Sequence, residues 1–257
     1  MISKFWQEIL TQAEAVKQDE HRLAKLIDEA ILSKSSIEQV LTSRLAESLG
    51  EKYVSAEDLE HIFTELYAED PFLAKAAKKD LKAICDRDPA CNCYVIPMLY
   101  YKGFQALQAS RLAHILWNKG RAHLASHIQS RNAEIFGVDI HPGARFGTGI
   151  LLDHASSFVA GETAVVGDDV SILHEVTLGG SGKECGDRHP KVGNGVLIGA
   201  GAKLLGNICI GAGAKIGAGS VVLDDVEGHT TVVGVPARPV GKPLHQSPSK
   251  YMDHHVE

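Results

Sequence analysis

The sequence has no run approaching the ~18 consecutive apolar residues of a membrane span. Its first stretch, MISKFWQEILTQAEAV, brings in acids early and has no unbroken apolar core, so neither a membrane-spanning segment nor a secretory signal is expected. Basic charge is not in excess: 26 Lys and Arg stand against 32 Asp and Glu, and no long Lys/Arg run occurs. A nucleic-acid partner is therefore not indicated. Cysteine is sparse, five residues in an odd count without framework spacing, which excludes a disulfide scaffold and points to a reduced, cytoplasmic protein. Cys85, Cys91 and Cys93 include a C-x-C pair, read as buried free thiols and not as a metal site. Aromatics are scarce after residue 137: 12 of the 15 lie before it. Glycine is scarce before it, where only Gly50, Gly103 and Gly120 of the 25 occur. Two halves with such opposite compositions call for two architectures within 257 residues.

In the first half, residues 1–136, apolar residues recur at helical spacing. Phe5, Ile9 and Leu10 open one segment, Leu23, Leu26, Ile27 and Ala30 mark a second, and Ile37, Val40, Leu41 and Leu45 run towards Gly50. Ser55-Ala-Glu-Asp58 has the form of an N-cap followed by first-turn acids, and Asp70-Pro71 that of a cap followed by proline at the first helical position. A long helix is expected from about Pro97 to Lys119, closed by Gly120, and a last one from Arg121 towards Phe136.

The second half, residues 137–241, repeats every six residues. Steps of six from Ile140 land on Phe146, Leu152, Phe158, Ala164, Val170 and Val176; steps of six from Val192 land on Ile198, Leu204, Ile210, Ile216 and Val222. No polar residue intrudes in either register. A period of six is too long for a helical turn and too regular for a meander, and it marks a parallel β-helix whose repeated aliphatic points inward. The 16 residues from Val176 to Val192 are one hexad plus ten, so a loop within Leu178–Lys191 must leave the coil. Gly179-Gly-Ser-Gly-Lys183 is no phosphate loop, because Thr177 stands five before Gly182 and Glu184 follows the lysine. The fold class is thus α+β: an all-helical N-terminal half, then a β-helix of hexapeptide repeats with an extruded loop, and a tail over 242–257.

The motifs Val138-Asp-Ile-His-Pro142, Leu152-Asp-His-Ala155, Gly161-Glu-Thr-Ala164, Val176-Thr-Leu-Gly-Gly180, Gly186-Asp-Arg-His-Pro190 and Gly234-Val-Pro-Ala-Arg238, with Arg87-Asp-Pro-Ala90 upstream, resemble those of the serine O-acetyltransferases. These belong to the hexapeptide-repeat acyltransferases. The resemblance covers about residues 60–245. It implies a left-handed β-helix, assembly as a homotrimer or a dimer of trimers with sites between subunits, and acetyl transfer from acetyl-CoA to L-serine without an acyl-enzyme. L-Cysteine is the implied inhibitor, and no metal is implied. Many members dock O-acetylserine sulfhydrylase through a terminal isoleucine; the residues Met252-Asp-His-His-Val-Glu257 lack it, so the resemblance does not carry that complex over to this sequence.

Acetyl transfer to a hydroxyl needs a base for its proton and donors for the developing oxyanion, and histidine suits the base role near neutral pH. Asp139 and His154 are 15 residues apart, three short of a three-hexad coil, which sets them near one corner on adjacent coils. The resemblance implies His154 as general base, oriented by Asp139. A zwitterionic amino acid needs a cation for its carboxylate, for which Arg188 and His189 stand on the loop. It needs acids for its ammonium, where Asp88 and Asp153 are expected with Glu162 nearby. For acetyl-CoA the resemblance implies contacts near Gly180, Ala200 and Ala218, with Lys215 by the phosphates. Three other readings compete: transfer to a sugar or antibiotic hydroxyl, a zinc carbonic anhydrase using His141, His154, His174 or His189, and a non-catalytic scaffold.

Overall fold

Ser55 and Asp58 close a reciprocal capping box, the serine hydroxyl accepting from Asp58 N–H and the aspartate from Ser55 N–H. Local signals of this kind set the helix starts in a computed structural model that describes residues 3–182 and 185–255. Lys183 and Glu184, which entered the phosphate-loop comparison, and Val256 and Glu257 of the tail lie outside the described residues. The helices are α1 (Lys4–Asp19), α2 (Ala24–Ile27), α3 (Ile37–Leu49), α4 (Ala56–Glu69), α5 (Pro71–Arg87), α6 (Val95–Tyr100), α7 (Lys102–Asn118) and α8 (Ala122–Phe136). A 3-10 turn (His21–Leu23) and a π turn (Asp28–Leu32) flank α2, so the expected second helix is three short pieces. Gly137 ends α8 with φ +68, a left-handed cap that a side chain would strain.

The helix expected from Pro97 to Lys119 is broken. Tyr101 is extended (φ −80, ψ 103) between α6 and α7. Gln105 Nε2 satisfies the carbonyl that the break frees on Leu99 at 2.8 Å, while the Tyr101 hydroxyl turns to Asp88 Oδ2 at 3.0 Å.

Three parallel sheets form a prism. Face A carries β1 (Val138–Ile140), β4 (Phe158–Ala160), β7 (Thr177–Gly179), β10 (Lys203–Leu205) and β13 (Val221–Val222). Face B carries β2 (Arg145–Phe146), β5 (Val165–Val166), β8 (Lys191–Val192) and β11 (Cys209–Ile210). Face C carries β3 (Leu151–Leu152), β6 (Ser171–Ile172), β9 (Leu197–Ile198), β12 (Lys215–Ile216) and β14 (Thr231–Gly234), with β15 (Ala237–Gly241) antiparallel at its edge.

The registers revise the repeat. Asp139 pairs with Val159 and Leu152 with Ile172, so the first coil is two residues longer than three hexads. Val159 pairs with Thr177 at the plain interval, but Val165 pairs with Lys191. The extruded loop therefore adds eight residues, and the other two of the expected ten lie between Leu152 and Phe158. Phe158, Ala164, Val170 and Val176 are buried all the same, because they are the second inward residue of each hexad, two before Ala160, Val166, Ile172 and Leu178.

One apolar core runs through both halves. Their junction also holds a buried charge: Asp80 of α5 pairs with Arg111 of α7 and accepts from Gln108 Nε2 and Ile150 N–H, both at 2.9 Å. Arg111 donates in turn to the Gly147 carbonyl at 2.5 Å. The tail folds back as α9 (Pro248–Tyr251), where the Ser249 carbonyl accepts from Ser171 Oγ at 2.8 Å.

Candidate active site

The two extra residues form the turn that carries His154. His154, Ala155 and Ser157 have φ of 56, 58 and 58, the left-handed conformation that single residues such as Asp169 and Glu175 adopt at other corners of the prism (φ 57 and 58), here three times within one turn. Ala155 N–H donates to the Asp153 carbonyl at 2.6 Å and Ser156 N–H to the His154 carbonyl at 2.8 Å, two consecutive three-residue turns. Helix α7 braces them from beneath: a side chain at Gly103 would overlap the Leu152 carbonyl, and Lys102 Nζ donates to Ser156 Oγ at 2.5 Å. The His154 side chain is thrown outward, 73% exposed, with its Nε2 3.8 Å from Asp153 Oδ2. The His174 ring stands edge-on to it at 5.8 Å.

This turn begins a column of corners between faces C and A. Glu175 N–H donates to the Ser156 carbonyl (2.7 Å), Gly201 N–H to His174 (2.9 Å) and Gly219 N–H to Ala200 (2.8 Å). Ala200 and Ala218 therefore continue the column beyond His174, which occupies the tier directly above His154. Asp88 approaches the same end of the molecule from the C-terminus of α5, one oxygen accepting from Ala90 N–H at 2.8 Å and the other from Tyr101. Burial, then the Asp88 carboxylate, pushes the Tyr101 phenol above its ordinary pKa and keeps it a donor.

Asp139 is not where its spacing suggested. The first coil is longer than three hexads, so His154 stands five residues before Val159, the residue above Asp139, and not three. Among the described residues no hydrogen bond joins Asp139 to His154; Asp139 Oδ1 accepts instead from Gln129 Nε2 of α8 at 2.7 Å.

The remaining polar candidates gather at the other edge of face A, the width of a strand away, about 10 Å. Arg188 Nη2 meets Glu162 Oε2 at 2.6 Å. The Thr163 hydroxyl accepts from Arg188 N–H (3.0 Å) and His189 N–H (3.1 Å), fastening the loop to the prism. His189 is 7% exposed and packs on Gly161, where a side chain would overlap its ring. The Arg188 hydrogen bond holds the Glu162 carboxyl below its ordinary range. Burial lowers the pKa of His189, helped by Arg188 and Lys191, and burial also lowers that of His141.

One chain thus sets Asp153 and His154 at one corner, with Asp88 bound to Tyr101, whose phenol also feels the Asp153 charge, and sets Glu162, Arg188 and His189 at the next; among the described residues no hydrogen bond or ion pair joins the two groups. The expected acyl-carrier contacts divide likewise. Gly180 lies with the second group, against the Arg188 carbonyl, and not in the column of Ala200 and Ala218. Lys215 is displaced from the phosphate role expected of it: on face C it is 4% exposed, donates to the His255 carbonyl and lies 3.8 Å from Asp253 Oδ2. Tyr101 and Gln129 were not readable in this region, being set there by the break and the coil length, and His174 was readable only as a zinc ligand, whereas the structure stacks it on the His154 corner. Thr163 was readable in outline, inside Gly161-Glu-Thr-Ala164. No three His, Cys, Asp or Glu side chains are grouped to hold a metal ion among the described residues.

Residues 5–109 match the family described as serine acetyltransferase, N-terminal, and residues 189–224 match the bacterial transferase hexapeptide (six repeats). The serine acetyltransferase of Salmonella typhimurium is 51% identical over 250 residues, 97% of this chain and 92% of that protein. A solved serine acetyltransferase in complex with cysteine is 44% identical, with a TM-score of 0.97 and 100% of both chains covered. The serine acetyltransferase of Brucella abortus in complex with coenzyme A is 48% identical, with a TM-score of 0.92 over 94% of this chain and 96% of that one.

Proposed function

The chain belongs to the serine acetyltransferase family, and we infer that it transfers the acetyl group of acetyl-CoA to the hydroxyl of L-serine with His154 as general base. The observation that carries the role of His154 is its place on a corner lengthened by two residues, side chain outward, at the foot of the column. The His154 imidazole takes the serine hydroxyl proton as that oxygen attacks the thioester carbonyl. The tetrahedral intermediate collapses by breaking the C–S bond, and the imidazolium returns the proton to the departing sulfur. Asp139 Oδ2 accepts no hydrogen bond among the described residues, and a rotation of the exposed His154 ring lets the carboxylate fix its tautomer. Acetyl-CoA lies along the Ala200–Ala218 column.

Serine is held across two copies of the chain. Asp88 and Asp153 of one copy take the ammonium, and Arg188 and His189 of the next take the carboxylate, with Glu162 orienting the guanidinium. A threefold assembly supplies that pairing, because the two groups occupy opposite edges of one face and neither suffices alone. L-Cysteine, with sulfur in place of the serine oxygen, fits the same pocket and inhibits by occupying it. Five unpaired cysteines favour a cytoplasmic setting. The test is CoA release with L-serine as acceptor. Wild type is expected to turn over, His154→Ala to lose about 10²–10⁴-fold in kcat, and Asp139→Ala to lose less. Wild type without serine-dependent release refutes the reaction; near-normal turnover by His154→Ala refutes the mechanism alone.

A further inference from the structure

Helix α5 ends one residue before Asp88, and the chain then doubles back. Ala90 N–H donates to the Asp88 carboxylate at 2.8 Å and Cys91 N–H to the Asp88 carbonyl at 2.9 Å. That turn lays Cys91 over the last turn of α5, where its Sγ lies 2.9 Å from Cys85 Sγ. Cys93 follows at once, its carbonyl 3.5 Å from Cys91 Sγ. The two sulfurs thus close a short ring around Asp88, whose other carboxylate oxygen accepts from Tyr101.

We propose that Cys85 and Cys91 are a dithiol modification site, converted by a hydroperoxide to a disulfide that displaces Asp88 and weakens serine binding. The consequence for serine rests on Asp88 as part of its pocket, as argued above. Among the described residues no third ligand stands with these thiols for a metal ion, which leaves redox chemistry to the pair. Cys85 is half-buried and Cys91 is 6% exposed, so Cys85 meets the oxidant first. Its thiolate attacks one peroxide oxygen: the S–O bond forms, the O–O bond breaks and the second oxygen leaves as water. Cys91 sulfur then attacks the sulfenic sulfur: the S–S bond forms, the S–O bond breaks and a second water leaves. Two thiols and one hydrogen peroxide give one disulfide and two waters. Burial raises both thiols above their ordinary pKa, so the thiolate is scarce and oxidation is slow, proceeding only under sustained hydroperoxide. Closing the gap to the ~2.05 Å of a disulfide moves the sulfurs by less than 1 Å. The shift is carried to the Asp88 turn through the Cys91 N–H bond.

The experiment treats the full-length protein with hydrogen peroxide, blocks remaining thiols, maps peptides and measures serine and acetyl-CoA KM before and after dithiothreitol. A Cys85–Cys91 linked peptide is expected, with a rise in serine KM of about tenfold, little change in acetyl-CoA KM, and reversal by reductant. Cys91→Ala and Cys85→Ala are expected to keep the reduced enzyme's constants and lose the response. Absence of the linked peptide overturns the site. A linked peptide with unchanged serine KM overturns its coupling to Asp88. Peptide mapping judges the dithiol even where serine turnover is absent, so its failure is distinct from failure of the acetyl-transfer reading.

Discussion

Asp80→Ala is the substitution whose cost follows most directly from the structure. Asp80 is fully buried, and its partner Arg111 is 5% exposed. The carboxylate takes Arg111, Gln108 Nε2 and Ile150 N–H, while Arg111 also reaches the Gly147 carbonyl. Removing it leaves a guanidinium buried with half its partners, an amide of α7 unpaired and a β-helix N–H orphaned. Breaking a buried pair by deleting one partner costs about 3–5 kcal/mol. The loss should reach the upper part of that span, since three donors are abandoned at a fully buried position. Asp80→Asn keeps the shape and one acceptor oxygen, so about 1–3 kcal/mol is expected. Asp80→Leu with Arg111→Met removes both charges and should recover much of what Asp80→Ala loses. Urea unfolding at fixed protein concentration, followed by circular dichroism, gives the three free energies. An Asp80→Ala loss near ~1 kcal/mol, the value of a surface pair, would refute the reasoning; so would a double variant less stable than Asp80→Ala.

Three other outcomes follow from the corner at Arg188. Arg188→Gln removes a charge-assisted anchor worth about 1.5–3 kcal/mol, so serine KM should rise roughly 10- to 150-fold with little change in urea midpoint; a serine KM within twofold of wild type, about RT ln 2, counts against Arg188 as the carboxylate anchor. Gly161→Ala puts a methyl into the His189 ring, and should cost about 1–3 kcal/mol of stability together with serine affinity; wild-type behaviour in both assays would mean the ring is free to move. His141 and His189 have folded pKa values below the ordinary 6.5, so the unfolded chain binds protons that the folded chain does not. Stability should therefore be whole above that value and fall as pH drops through it towards the folded values. His189→Asn should flatten part of that fall in urea titrations, and a slope identical to wild type would assign the acid sensitivity elsewhere.

The residue types of the site were legible in the sequence, while their placement was not, and the reason is geometric. Successive side chains of a strand alternate, so a slip of two residues returns the same face to the core. Stepping by six from Leu152 crossed such a slip without meeting a polar residue, because Phe158 and Ala164 are buried as surely as Ala160 and Val166. The insertion left no trace in the apolar pattern; it surfaced only as two residues too many charged to the later loop. The helices were read well wherever a cap or a proline set the boundary, as at Ser55 and Asp70, and misread at Tyr101, where the chain is extended and the side chain reaches Asp88. Lys215 was misplaced for a third reason: a hexad states that its lysine is at a strand, not which distant segment covers it. The slip is also where the chemistry sits. Unbroken hexads turn their corners with a single left-handed residue, as at Asp169 and Glu175. With two extra residues this corner has three in a row of five, and His154 stands exposed among them.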